Sequence, residues 1–213
     1  MSSDSQAGNS TKTGQKRAIG GFEIIAKLGQ GAMGAVFKAR QVSVDRIVAL
    51  KVLPRNLAKN ENYVVRFLRE AHAAAKLDHV NIVQGIDAGQ ADGYHYFAME
   101  FVDGNTLRDV LTAQGKLSEQ HALEIARDVA RALDCAHEAG LIHRDVKPDN
   151  VLIASDGTVK LADLGLARET ERTDSGVTQV GTPLGTPNYI SPEQVRGEQH
   201  SMGFGWSFLW QFL

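Results

Sequence analysis

At 213 residues, with 43% hydrophobic and 23% charged residues, the chain has the make-up of a single globular domain able to build a core. Its formal net charge of −2 gives no general attraction to nucleic acid or to an anionic membrane surface. The one cysteine, Cys135, excludes an intramolecular disulfide and a cysteine-rich metal site, and within its helical stretch it reads as a small buried hydrophobe in a reducing compartment.

Residues 1–20 are rich in Ser, Thr, Gly and Gln, lack the apolar stretch of a secretory signal, and read as a disordered tail. No run of about 18 apolar residues follows anywhere, so no membrane span is expected. Residues 22–28 and 35–40 read as two strands of a hairpin around a glycine cluster, and residues 46–53 as a third strand that Pro54 stops. Val64, Phe67, Leu68, Ala71 and Ala75 recur at helical spacing over residues 62–77. Strands are expected at 82–86 and 94–100, with Gln90, Ala91, Asp92 and Gly93 as the turn. The result is a five-stranded antiparallel sheet with one helix inserted after its third strand.

Beyond Gly104 the pattern turns helical. A short helix over 107–114 ends at Gly115; Ser118 caps a long one that runs to about Ala139, with Gly140 as terminator. Leu123, Ala126, Val129, Ala130, Leu133 and Ala136 form its expected apolar stripe. Short strands at 151–153 and 159–161 flank an Asp156-Gly157 turn.

Four segments carry chemistry. Gly29-Gln30-Gly31-Ala32-Met33-Gly34-Ala35-Val36 matches G-x-G-x-x-G-x-V; dinucleotide folds share this spacing, but there a helix follows, whereas β-forming residues follow Gly34. That favours a glycine hairpin over phosphates, although a plain hairpin turn has the same appearance. Lys51 sits inside an apolar strand, where a buried ammonium needs an anion; Glu70 in the following helix is the preferred partner and Glu61 the competing one. His143-Arg144-Asp145-Val146-Lys147-Pro148-Asp149-Asn150 places a dense polar loop between a helix and an apolar strand. Asp163, leaving a strand beside Leu164-Gly165, is a candidate hard-cation ligand or a turn residue.

Together these segments, with Gly185-Thr186-Pro187-Asn188-Tyr189-Ile190-Ser191-Pro192-Glu193, resemble the ordered motifs of the bacterial Ser/Thr protein kinases over roughly residues 22–196. The resemblance implies an α+β, bilobal protein-kinase fold: a smaller lobe and hinge over 21–102, and a partial, mainly helical larger lobe over 103–197. It implies ATP and Mg²⁺ as cofactors, and protein Ser/Thr hydroxyls as acceptors. Gly29, Gln30, Gly31 and Gly34 would then cover the phosphates, and Val36, Ala49 and Leu152 would enclose the adenine. Met99 would be the gatekeeper, and Glu100 to Val102 the hinge against the base. Lys51, paired with Glu70, would hold the α- and β-phosphates. Asp145 would be the base and Lys147 would steady the γ-phosphate, while Asn150 and Asp163 would bind magnesium. Arg144 would pair with a phosphate on Thr170, Thr173, Ser175, Thr178 or Thr182, which implies self-phosphorylation and self-association.

Leu164 and Ser191 stand where the family pattern has Phe and Ala, both tolerable exchanges. Residues 198–213 form an apolar, aromatic-rich tail unlike the expected continuation. On this reading about 80–100 further residues of the larger lobe are absent, by the size of such domains, and that lobe is expected to be unstable. The alternative to an active kinase is an inactive fragment that at most binds nucleotide; a small-molecule phosphotransferase is the more distant one. The expected location is cytoplasmic, with longer relatives anchored in a membrane.

Overall fold

The computed structural model describes residues 17–31, 34–143, 145–163 and 168–169, with the side chains of 70, 168 and 169 left aside. The activation-segment and aromatic-tail expectations, and Arg144, lie outside these residues.

The first half is an antiparallel sheet in the order β1-β2-β3-β4-β6-β5. Its strands are β1 (Ala18–Ile19), β2 (Phe22–Gly31), β3 (Gly34–Gln41), β4 (Arg46–Leu53), β5 (Gly85–Ala91) and β6 (Tyr94–Glu100). The sheet has six strands where five were expected, because β1 forms inside the stretch read as tail. Two residues are too few to show alternation. What holds them is Ile19, buried opposite Phe22, and a bond from Ile24 N–H to Arg17 C=O of 2.8 Å. Gly20 and Gly21 turn the chain with φ of 53° and 83°, and Gly20 N–H reaches the Asp92 carboxylate at 3.2 Å, on the turn between β5 and β6. The sheet therefore curls over its own core of Phe22, Ala39, Val48, Leu50, Val52 and Ala98.

Register sends alternate residues of β4 to opposite sides. Val48, Leu50 and Val52 enter the curled core, while Ala49, Lys51 and Leu53 take the other face. Helix α1 (Glu61–Ala75) covers part of that face, with Phe67, Ala71 and Ala74 joining Leu53 and Phe97 in a second core. Asn60 caps α1 by accepting from Asn62 N–H at 3.0 Å.

The strand expected at 82–86 is displaced. Ile82 and Val83 are buried, but their backbone meets the chain at Leu161 in the other half of the molecule: Val83 N–H donates to Leu161 C=O (2.9 Å) and Leu161 N–H to Asn81 C=O (2.8 Å). The apolar pair marks burial, and the ladder begins only at Gly85. The polar edge strand β5 lacks clear alternation, and its turn shortens to Asp92 and Gly93, with φ of 52° and 75°.

The second half holds β7 (Gly104–Thr106), α2 (Leu107–Gln114), α3 (Glu119–Glu138), β8 (Leu141–Ile142), β9 (Val151–Ala154), β10 (Val159–Leu161) and β11 (Arg168–Glu169). A capping box starts α2: Thr106 Oγ1 accepts from Asp109 N–H, and the Asp109 carboxylate accepts from Thr106 N–H. Ser118 caps α3 as expected. The stripe on α3 is rotated, however. Ala122, Ile125, Val129, Ala132, Leu133 and Ala136 are buried, and Leu123 is 47% exposed. An alanine-rich helix offers two overlapping stripes, and the larger Ile125, Val129 and Leu133 at i, i+4 and i+8 decide between them. Strand β7, not foreseen, pairs with β9, and a Cβ on Gly104 would collide with Ile153 C=O.

The fold class expected from sequence, a strand-rich small half with one helix joined to a mainly helical half, is the one observed. Asn81 is buried at the junction, and its Nδ2 donates to Val159 C=O at 2.8 Å. Asn81→Ala strands that carbonyl and is expected to cost about 1–3 kcal/mol, read as a lower urea midpoint at unchanged m-value.

Candidate active site

The loop after β8 is bound into place by its own backbone and one buried ring. His143 is 1% exposed, and burial pushes its pKa down, so the ring is neutral. Asp145 N–H bonds to His143 C=O at 2.8 Å and approaches Nδ1 at 3.4 Å, while Nε2 lies 3.0 Å from Ala162 C=O. These partners assign the proton to Nε2: a carbonyl can only accept, and Nδ1 faces a donor.

Asn150 closes the loop. Its Nδ2 donates to Asp145 C=O at 2.8 Å and faces the Asp145 carboxylate at 3.4 Å, and its own C=O accepts from Ala162 N–H at 2.8 Å. Lys147 Nζ lies 2.6 Å from Asp145 Oδ2, both side chains being largely buried. Asp145, Lys147 and Asn150 are thus brought together within one loop.

Asp163 follows Ala162 directly, with a φ of 64°, a conformation Asp tolerates better than most residues. Its Oδ1 meets Lys51 Nζ at 2.5 Å. Lys51 is 7% exposed in the middle of β4, where an ammonium needs an anion. The pair joins the two halves of the molecule across 112 positions of sequence. Glu70 lies in α1, and its side chain is among those left aside.

Above the pair, Gly29, Gln30 and Gly31 stand opposite Val36, Ala35 and Gly34. A Cβ on Gly29 would meet nothing within 4 Å, so folding alone does not call for glycine there. Gly34 differs: its φ is 143°, and a Cβ would run into Val52 C=O. Val36 is paired with Lys51, and Ala49 with Met99, so all four occupy one face of the sheet. Leu152 is half-buried in β9. Glu100 ends β6; its carboxylate takes Lys160 Nζ at 3.0 Å and Gln84 N–H at 3.4 Å, and its own N–H is bound to Gln84 C=O. Val102 follows in the connecting segment, half-buried.

Among the described residues no group of three or more His, Cys, Asp or Glu could hold a metal. The Asp163 carboxylate and the Asn150 amide oxygen form a sparser set of hard donors. That fits Mg²⁺, which keeps several waters and takes one or two carboxylates together with phosphate oxygens.

Sequence reasoning gave no role to His143, though it stood in the quoted loop, nor to Asn81 and Lys160, whose signals were a lone polar residue beside an apolar pair and a lysine between two buried strand positions.

The chain belongs to the protein kinase family: the protein kinase domain profile spans residues 22–207. It is similar to the serine/threonine-protein kinase pkn3 of Myxococcus xanthus (44% identical, covering 84% of this chain and 34% of that protein). It also resembles PknB of Mycolicibacterium smegmatis (43%; 83% and 29%) and PrkC of Bacillus subtilis (40%; 85% and 28%). The kinase domain of M. tuberculosis PknI shares its fold at a TM-score of 0.67 and 31% identity, covering 88% of this chain and 68% of that one. These full-length relatives are named as serine/threonine-protein kinases, and the chain spans about a third of their length. No helix among the described residues is long and apolar enough to cross a membrane.

Gly34→Ala is expected to destabilise the chain by about 1–3 kcal/mol, while Gly29→Ala stays within about 0.5 kcal/mol; urea titrations of both separate a glycine needed for folding from one needed for access. The lowered pKa of His143 means the unfolded chain binds more protons as pH falls below its ordinary value of 6.5. Stability should therefore be complete above that value and decline as pH drops through the folded pKa. His137, shifted the same way by burial, adds to the slope. His143→Asn should flatten the pH dependence measured by thermal melts, though not abolish it.

Proposed function

We propose that this chain carries the phosphotransfer centre of a Ser/Thr protein kinase, moving the γ-phosphoryl group of ATP to Ser and Thr hydroxyls of proteins. The observation that carries the proposal is the knot of Asp145, Lys147 and Asn150, bonded through Ala162 to the strand end that carries the Lys51–Asp163 pair. Asp145 accepts the proton of the attacking hydroxyl as the new O–P bond forms and the bond to the leaving ADP breaks. Lys147, already beside that carboxylate, lies where charge on the transferring group can be neutralised. Lys51 holds the α- and β-phosphates, and Glu70 remains its proposed second anion. Asp163 and Asn150 hold magnesium, which when bound neutralises phosphate charge. Gly29, Gln30 and Gly31 leave room over the phosphates, and Gly34 lets β3 start close against β4. Val36, Ala49 and Leu152 enclose the base beside Met99. The carboxylate and N–H of Glu100 are committed to the fold, so its carbonyl, with the backbone of Val102, is what that segment offers the base.

Arg144 would bind a phosphate on Thr170, Thr173, Ser175, Thr178 or Thr182, placed by another copy of the chain during transient self-association. Protein substrates and a cytoplasmic setting belong to the same reading.

The test is transfer from γ-labelled ATP to a generic Ser/Thr-rich protein and to the chain itself, followed by phosphoamino-acid analysis. Asp145→Asn is expected to lower the rate by about 10²–10⁴-fold. An unchanged rate, or no transfer by the unaltered chain, would sink the proposal. Equal self-labelling after replacing all five acceptors would remove the regulatory part alone.

A further inference from the structure

Register places a second lysine on the face that carries Lys51. In β3, Val36 stands opposite Lys51 and Lys38 opposite Ala49; Ala49 in turn faces Met99. Directly paired residues share a face, as do residues two apart along a strand. Lys38 therefore lies on the cleft side of the sheet, one pair nearer the end of β6 than Lys51. Its Nζ sits 4.3 Å from the centre of the Phe101 ring, within the range of a cation–π contact.

Phe101 is the residue directly after β6, between Glu100 and Val102. Its predecessor is held from the other half of the molecule by Lys160 of β10, at 3.0 Å. Two consecutive residues of the connection between the halves are thus each gripped by a lysine, one from the sheet and one from the β9–β10 hairpin. Both Lys38 and Phe101 are half-buried, so the contact is partly desolvated and local.

We infer that Lys38 is a positioning residue for the nucleotide: by holding Phe101 it fixes segment 100–102, against which the base of ATP lies. The inference rests on reading the cleft as a nucleotide site. A segment already ordered loses less freedom when the base docks, so its benefit falls on affinity. The charge on Lys38 is used at the ring, leaving the chemistry at Asp145 to other groups. The expected signature is a higher KM for ATP at nearly constant kcat.

The experiment compares full-length Lys38→Met, Lys38→Arg and Phe101→Leu. Hydrogen exchange of amides 101–103 without nucleotide reports on the clamp itself, and ATP titration with steady-state transfer reports on its use. Lys38→Met and Phe101→Leu should both speed exchange and raise the KM for ATP by roughly 3–10-fold. Lys38→Arg should restore both, because a guanidinium also stacks on an aromatic face. Normal exchange and KM in Lys38→Met, or no rescue by Lys38→Arg, would overturn the role of Lys38 while leaving the nucleotide site standing. Failure of the unaltered chain to bind ATP would overturn the nucleotide reading, and this role with it.

Discussion

A single buried imidazole sets the geometry of the site. His143 has lost its water, and a polar ring without water must find partners for both nitrogens. It finds them in the N–H of Asp145 and the C=O of Ala162. Those groups belong to Asp145 itself and to the residue just before Asp163. One side chain's desolvation thereby fixes the spacing of two loops that end in carboxylates. Asn150 repeats the link, bonding Asp145 with its side chain and Ala162 with its backbone. The carboxylates are held by backbone and by neutral groups, and their charges remain for lysines.

The lysines then tie the site to the rest of the molecule. Lys147 comes from the same loop as Asp145, so that pair is local. Lys51 comes from the centre of the sheet, and its pairing with Asp163 spans the two halves. A buried ammonium at that position is tolerable only because an anion meets it. The alignment of the halves is set independently by Asn81, Ile82 and Val83, whose backbone and side chain are laid along β10. This backbone seam holds the Lys51–Asp163 contact in register.

Legibility followed the range of the interaction. The pairing of β2 with β3, the strands around Lys51, the helix expected over 62–77 and found at Glu61–Ala75, and the Ser118 cap depend on neighbours in sequence, and they were readable. Strand β1 was missed because two residues show no alternation, and β7 because its pairing with β9 depends on Gly104 approaching Ile153 closely. The apolar Ile82-Val83 pair suggested a strand, but its burial comes from the other half. On α3 the sequence allowed two stripes, and packing selected the one that leaves Leu123 outside.

The site shows the same division. The resemblance to the kinase motifs singled out Asp145, Lys147, Asn150, Asp163 and Lys51: two carboxylates, an amide and two amines. It did not show that Lys51 meets Asp163, that the Glu100 carboxylate is taken by Lys160, or that His143 is the neutral link between the loops. The links Lys51–Asp163, Lys160–Glu100 and His143–Ala162 join residues 112, 60 and 19 positions apart. Local pattern carries no term for them: they arise only when burial removes water and leaves each polar group to find the nearest complementary one.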